Sequence, residues 1–313
     1  GFNYEIHDLE GAPLWRPGVL APVAARADAT IFFTGVIPLW FRGRRPIVVM
    51  FDLAYLDEPA RGVRPWLRRT QFRLINGMAV RTATHVVTIS RYTKERVCHH
   101  FGLRAEQVTP IHHGFFPRDR GTIGETQRSL APYFLFAGVI KSRKNVLGLV
   151  QGYAHFCEHC DAPHRLLIAG KDTGSYAASV RALVSRLGLT ERVHFLGYVS
   201  DVELAAYYAG ATAVAFPSTL EGFGMPILEA MDAGVPVLTA NFGAMAEIAG
   251  DAALLVDVTD SVQIGEGLCR LATDEELCTE LIRRGAHHVQ QYSWEVAAHR
   301  LFRVASDCTA PNH

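Results

Sequence analysis

Apolar residues along this chain fall in short compact runs separated by stretches of helical periodicity. The alternation is clearest after residue 130. The runs Tyr133–Ala137, Leu166–Ala169, Val193–Leu196, Ala213–Phe216, Val235–Thr239 and Ala253–Val256 are strand-length and largely apolar on both faces. A parallel strand covered by helices on both sides needs that pattern. The amphipathic stretches between them predict helices over Asn145–Cys160, Tyr176–Gly188, Asp201–Ala209, Met225–Ala233, Ser261–Leu271 and Asp274–Val289. Strands alternating with helices predict βαβ units, hence an α/β class with a doubly wound parallel sheet. The earlier part repeats the pattern in shorter form. It has strands at Ala29–Thr34, Ile47–Phe51, His85–Ile89 and Val108–Ile111, and helices at Pro65–Val80 and Tyr92–Phe101. Phe115–Ala131, rich in Gly, Pro and charge, reads as a boundary, and Ser293–Asp307 as a final helix with Ser293 as its N-cap.

Composition sharpens this picture. At 313 residues the chain is long enough for two cores, and its 49% hydrophobic content excludes a disordered polymer. Net charge is zero, but residues 1–120 hold 17 basic and 10 acidic side chains, leaving 14 and 21 for the remainder. Halves of opposite sign suggest two domains with different partners. Six scattered cysteines exclude a disulfide scaffold and favour a reducing compartment. No apolar run reaches the roughly 18–20 residues of a membrane-spanning helix. The chain opens at Gly1 without a methionine, as a fragment would, so the lack of a signal-peptide pattern carries little weight, and the expected cytoplasmic location rests on the cysteines.

The most informative stretch runs from Phe216 to Met231, FPSTLEGFGMPILEAM. A buried strand enters a glycine-containing loop and then a helix with Pro226 in its first turn. Gly222 and Gly224 allow close backbone approach, so the helix start can present free N–H groups to an anion. Glu221 lies on the loop and Glu229 one to two turns into the helix, a separation suited to two contacts on one extended ligand. A lone carboxylate pair is more often a solvated or capping pair; here the glycine loop and flanking motifs favour a site.

Those residues resemble the Glu-x7-Glu element of retaining glycosyltransferases of family 4 (glycosyl transferases group 1), which have the GT-B fold. The likeness extends to Gly138 followed by Arg143-Lys144-Asn145, to Gly197-Tyr198-Val199-Ser200-Asp201, and to Ala233-Gly234-Val235-Pro236-Val237. Ala246–Ala253 and Ser293-Trp294-Glu295 also match, so that most of residues 80–305 is covered. The resemblance implies two Rossmann-like domains facing a cleft. An acceptor-side domain over 1–118 would be shortened, a nucleotide-sugar donor domain would cover 130–292, and the helix over 293–307 would pack back on the first.

By the same resemblance, Glu229 would bind the donor ribose, Glu221 the donor sugar hydroxyls, and Lys144 the diphosphate, with Arg143 as a second phosphate contact. Backbone groups at Gly222, Phe223 and Gly224 would share that work, and Gly138, Leu228, Tyr198 and Val199 would complete the donor site. The donor would be a UDP-, GDP- or ADP-linked hexose and the acceptor a glycan or a lipid-linked glycan. No metal and no further cofactor is expected. Two departures stand out. Val139 follows Gly138 where many members carry Arg after Gly, and Phe51-Asp52 stands where members commonly have His-Asp. The histidine normally approaches the donor sugar, so Phe51 keeps open a catalytically impaired sugar-nucleotide-binding protein. A nucleotide-sugar epimerase on the same fold is a second alternative.

Other features read more plainly. Cys157 and Cys160, with His155, His159 and His164 nearby, lack the second ligand pair of a zinc site. Arg61, Arg64, Arg68, Arg69 and Arg73 surround Trp66 on a helix over 61–80, by default a solvated face, with peripheral contact at the inner membrane surface as the functional reading. Asp52 and Ser90 lie at strand ends, where each faces the cleft or caps the next segment. Nucleic acid is not an expected partner.

Overall fold

The computed structural model describes residues 24–38, 41–57, 63–117 and 123–309. Contacts divide the chain into two units. One takes in the chain up to Ile89, Lys94–Ile111 and the residues from His299; the other takes in Ser90–Thr93 and His112–Ala298.

In the first unit, β1 (Thr30–Phe32), β2 (Pro46–Met50), β3 (His85–Thr88) and β4 (Val108–Pro110) form a parallel sheet in sequence order. All five residues of β2 are buried, as a central strand requires. Helices α1 (Ala54–Asp57), α2 (Val63–Thr82) and α3 (Arg91–Phe101) accompany the sheet. Val48, Met50, Leu56, Val80, Val97 and Phe101 pack in one core cluster. The last helix, α12 (Trp294–Thr309), begins in the second unit and from His299 belongs to this one, where the Thr309 carbonyl accepts a 3.0 Å hydrogen bond from Arg45. Arg61 of the basic stretch lies outside the described residues.

The second unit opens with α4 (Glu125–Leu130), inside the stretch expected to be a linker. Then follow β5 (Tyr133–Ala137), α5 (Val146–His159), β6 (Arg165–Ala169), α6 (Ser175–Arg186), β7 (Val193–Gly197), α7 (Asp201–Gly210) and β8 (Ala213–Phe216). After them come α8 (Met225–Asp232), β9 (Val237–Ala240), α9 (Gly243–Ala249), β10 (Leu254–Val256), α10 (Ser261–Thr273), α11 (Glu275–His288) and α12 (Trp294–Thr309). The six strands are parallel in the order β10-β9-β8-β5-β6-β7. The doubly wound sheet expected from the apolar runs is therefore present.

Local chemistry explains the helix starts. Ser200 and Glu203 form a reciprocal capping box on α7, Asp260 caps α10 and Asp274 caps α11. Ser293 Oγ accepts from Glu295 N at 3.2 Å and opens α12. Strand β9 begins two residues later than its apolar run because Pro236 has no N–H to give a ladder. Strand order reverses between β5 and β8, both of which pair with neighbours on opposite sides. The carboxyl ends of strands flanking such a reversal open a crevice, the usual ligand position in this class.

Candidate functional site

The segments leaving β5 and β8 meet at that crevice. After β5 the chain passes Gly138 and makes a single 3-10 turn, Ser142–Lys144, closed by Asn145 in the left-handed region at φ 53°. Asn145 Nδ2 donates to the Val258 carbonyl at 2.7 Å and fixes the turn to the body of the unit. The carbonyl of Arg143 gathers the loop after β8. It accepts from Thr219 N at 2.8 Å and lies 2.9 Å from Ser218 Oγ and 3.1 Å from Thr219 Oγ1.

Glu221 is placed by these contacts. Its carboxylate accepts from Arg143 Nη1 at 2.6 Å on one oxygen and lies 2.5 Å from Lys144 Nζ on the other, with Ser218 Oγ 2.8 Å away. Arg143 Nη1 also donates to the Leu220 carbonyl at 3.1 Å. Lys144 Nζ stands 4.6 Å over the Phe216 ring. Burial holds the Lys144 amine below its ordinary range, against the pull of Glu221, while the neighbouring Arg143 and Lys141 push the same way as burial. Two cations and one carboxylate give the pocket a net positive charge in a poorly solvated setting, where an anion interacts strongly.

Glu229 projects from α8, and the buried Tyr208 phenol of α7 donates to its Oε2 at 2.8 Å. Leu228, one residue earlier, has its side chain fully in the core. The apolar stripe of α8 faces the sheet, so a ligand meets Leu228 at its main chain. Phe223 is buried too, with the His113 ring at a centroid distance of 3.8 Å. Gly224 sits at φ 131°, with Met245 and Ile227 where a Cβ would stand.

The adjacent strands β5, β6 and β7 reach the same edge in glycine: Gly138, Gly170 and Gly197, with φ of 148°, 147° and 68°. Gly138 N donates to the Ala169 carbonyl at 2.9 Å and Gly170 N to the Gly197 carbonyl at 2.7 Å. A Cβ on Gly170 would stand 2.0 Å from the Gly138 oxygen. Bare main chain thus lines this edge. Tyr198 is 86% exposed beyond it and Val199 half-buried.

Residues outside this group have other partners. Asp52, in the first unit, accepts from Ala54 N at 3.2 Å and so caps α1, and Phe51 is exposed. Ser90 is buried and caps α3 through Thr93 N at 3.0 Å. His112 Nε2 lies 2.6 Å from Glu247, and His113 stacks between Phe223 and Trp294. Among the described residues, no three or more His, Cys, Asp or Glu side chains group as a metal would require, Cys157 and Cys160 included. Sequence reading missed Ser218, Tyr208, Thr93 and Glu247. Ser218 carried a local signal, the Ser-x-x-Glu spacing to Glu221, and Glu247 stands inside the matching run Ala246–Ala253.

A family model described as glycosyl transferases group 1 matches residues 125–288, more than half of the chain. This protein belongs to that family. It is 29% identical over 222 residues to the O-antigen chain mannosyltransferase B of Escherichia coli, covering 68% of this chain and 58% of that protein. The chain therefore spans under two thirds of the length of that relative. Among solved structures, sucrose-phosphate synthase from Thermosynechococcus elongatus superposes with a TM-score of 0.70 at 23% identity, over 85% of this chain and 68% of that one. Anabaena HepE, in complex with UDP and glucose, gives 0.71 at 20% identity, over 84% and 72%. The fold is the α/β GT-B fold of glycosyltransferases.

Proposed function

We propose that this protein transfers a hexosyl group from a nucleotide-diphospho-sugar to a glycan or lipid-linked acceptor, with retention at the anomeric carbon, as a family 4 enzyme. The observation that carries the reading is the Glu221 carboxylate held between Arg143 and Lys144 at the strand-order reversal. Arg143 and Lys144 take the donor diphosphate and stabilise the charge that grows on it as the glycosidic bond breaks. Glu221 then orients the sugar hydroxyls, and Glu229, held by Tyr208, receives the ribose hydroxyls. The N–H groups of the Gly222–Gly224 loop meet the phosphates, while Gly138, Tyr198 and Val199 border the base. No side chain here acts as a nucleophile. The acceptor oxygen bonds to the anomeric carbon on the face the leaving diphosphate vacates, and a diphosphate oxygen takes the acceptor proton. The cations and loop N–H groups serve where a metal would otherwise neutralise the diphosphate, so the reaction is metal-independent. The UDP in the Anabaena neighbour supports a nucleotide donor and leaves UDP, GDP and ADP as the donor bases to test.

The acceptor side favours a membrane surface. Trp66, Leu67, Leu74 and Met78 are exposed on α2, and a surface cavity of about 500 Å³ there is lined by Arg69, Arg73 and Arg81. Such a face suits anionic headgroups at the inner membrane surface, reached from the cytoplasm. Among the described residues no helix is long and apolar enough to cross a membrane. Flotation with vesicles containing phosphatidylglycerol, compared with phosphatidylcholine alone, tests this: binding to both or to neither removes the peripheral reading.

Phe51 favours a second reading, a sugar-nucleotide binder without turnover, because it offers no ring nitrogen where relatives carry histidine. A screen against UDP-, GDP- and ADP-sugars, followed by detection of freed nucleotide, decides between them. Binding with release supports the transferase, binding without release supports the second reading, and no binding overturns both.

A further inference from the structure

Residues 90–93 sit apart from their sequence neighbours by grouping with the second unit. The first three N–H groups of α3, orphaned in any helix, all have acceptors. Arg91 N donates to Glu247 Oε1 at 2.7 Å, Tyr92 N to Glu247 Oε2 at 2.9 Å and Thr93 N to Ser90 Oγ at 3.0 Å. Glu247 is held in turn by His112 Nε2 at 2.6 Å. Hydroxyls continue the chain: Ser90 Oγ donates to Thr93 Oγ1 at 2.9 Å, and Thr93 Oγ1 donates to the carbonyl oxygen of Gly222 at 3.3 Å. Ser90 is wholly buried and Thr93 2% exposed, so water does not compete for these bonds.

Gly222 follows Glu221 directly, and its carbonyl shares a peptide plane with the N–H of Phe223. In a trans peptide the two point in opposite directions. Whatever fixes the carbonyl therefore fixes the N–H, and a peptide plane that follows a glycine rotates easily unless something holds it. Phe223 N donates to no acceptor among the described residues. We propose that Thr93 is a positioning residue: by pinning the Gly222 carbonyl it aims the Phe223 N–H at the phosphate of the bound nucleotide. This role rests on the donor site proposed above. Thr93 touches no substrate; it acts through the peptide plane. Ser90 and Glu247 keep Thr93 in place.

The test uses the full chain with Thr93→Val, which keeps the shape and removes the hydroxyl, and Thr93→Ser, which restores it. Affinities for UDP, GDP and ADP are compared with those for uridine, guanosine and adenosine, and the Phe223 amide is followed by ¹⁵N NMR without ligand. Thr93→Val is expected to weaken the preferred diphosphate about tenfold while leaving its nucleoside unchanged, as for one lost charge-assisted hydrogen bond. The Phe223 amide signal should move or broaden in Thr93→Val and return in Thr93→Ser. Equal loss for nucleoside and diphosphate would mark a merely structural role and overturn the proposal, as would wild-type diphosphate affinity in Thr93→Val. A wild-type chain that binds none of the three diphosphates overturns the donor reading itself, and the amide signal separates that result from a failure of the pin.

Discussion

Tyr208 donates its phenolic proton to Glu229 across 2.8 Å, joining α7 to α8 through two residues 21 positions apart. Because the phenol is 1% exposed, its orientation is set by packing, and the carboxylate is held ready before any ligand arrives. Tyr208→Phe should lower affinity for the nucleotide donor by about tenfold to a hundredfold, the range for one hydrogen bond to a charged group. Glu229→Ala should go further and erase the preference for a ribonucleotide over its 2′-deoxy form. Titration calorimetry with both forms checks this, and an unchanged preference would remove Glu229 from the ribose.

Glu221 is the counter-charge for two cations whose side chains are 13–20% exposed. Glu221→Ala should destabilise the ligand-free protein by about 2–4 kcal/mol, since it leaves Arg143 and Lys144 facing each other in a partly desolvated pocket. The nucleoside diphosphate then supplies the missing negative charge. Its stabilising shift in melting temperature should be larger for Glu221→Ala than for the wild type, although turnover is lost. Thermal melts with and without UDP, GDP and ADP measure both quantities.

Gly170→Ala should be among the most damaging single-methyl changes in the second unit. The added carbon would stand 2.0 Å from the Gly138 oxygen, and the backbone already sits at φ 147°. Backbone displacement of this kind costs about 1–3 kcal/mol or more, and it falls on the edge proposed to border the base. Urea unfolding gives the stability change, and nucleoside binding gives the local one. A neutral result in both would separate Gly170 from the site.

His164 is buried, stacks on Phe134 at 4.9 Å, and its Nδ1 has no partner. Burial, with Arg192 nearby, holds its imidazole below the ordinary pKa of 6.5. The unfolded chain therefore binds a proton that the folded one refuses, and stability falls as pH drops below about 6.5 toward the folded value. His113 and His85 are depressed in the same direction, chiefly by burial. His164→Phe should remove one part of this acid loss and leave stability at pH 8 unchanged or raised by about 1 kcal/mol. Melting temperatures between pH 5.5 and 8 show it as a shallower slope.

The second sheet was legible because each strand is an apolar run of three to five residues between amphipathic helices, a pattern that survives without tertiary information. Elements of four to seven residues, α1, α4 and α9, were not, since so short a stretch has no period to read. Site legibility divides in the same way. Glu221, Glu229, Lys144 and Arg143 stand in quotable motifs, but nothing local says that Arg143 and Lys144 would close on Glu221 from 78 and 77 residues away. Thr93 and Gly222 lie 129 positions apart, and Arg91 and Glu247 156.

The glycines that end β5, β6 and β7 bear on the engineering of this protein. A surface made of main chain offers the same amides and carbonyls whatever side chains surround it, and a side chain at any of its three positive-φ residues would be strained. With the base at that edge as proposed, effort to redirect the protein toward a different nucleobase belongs instead at the exposed Lys171, Thr173 and Tyr198 beyond it, where side chains can be exchanged without disturbing the sheet.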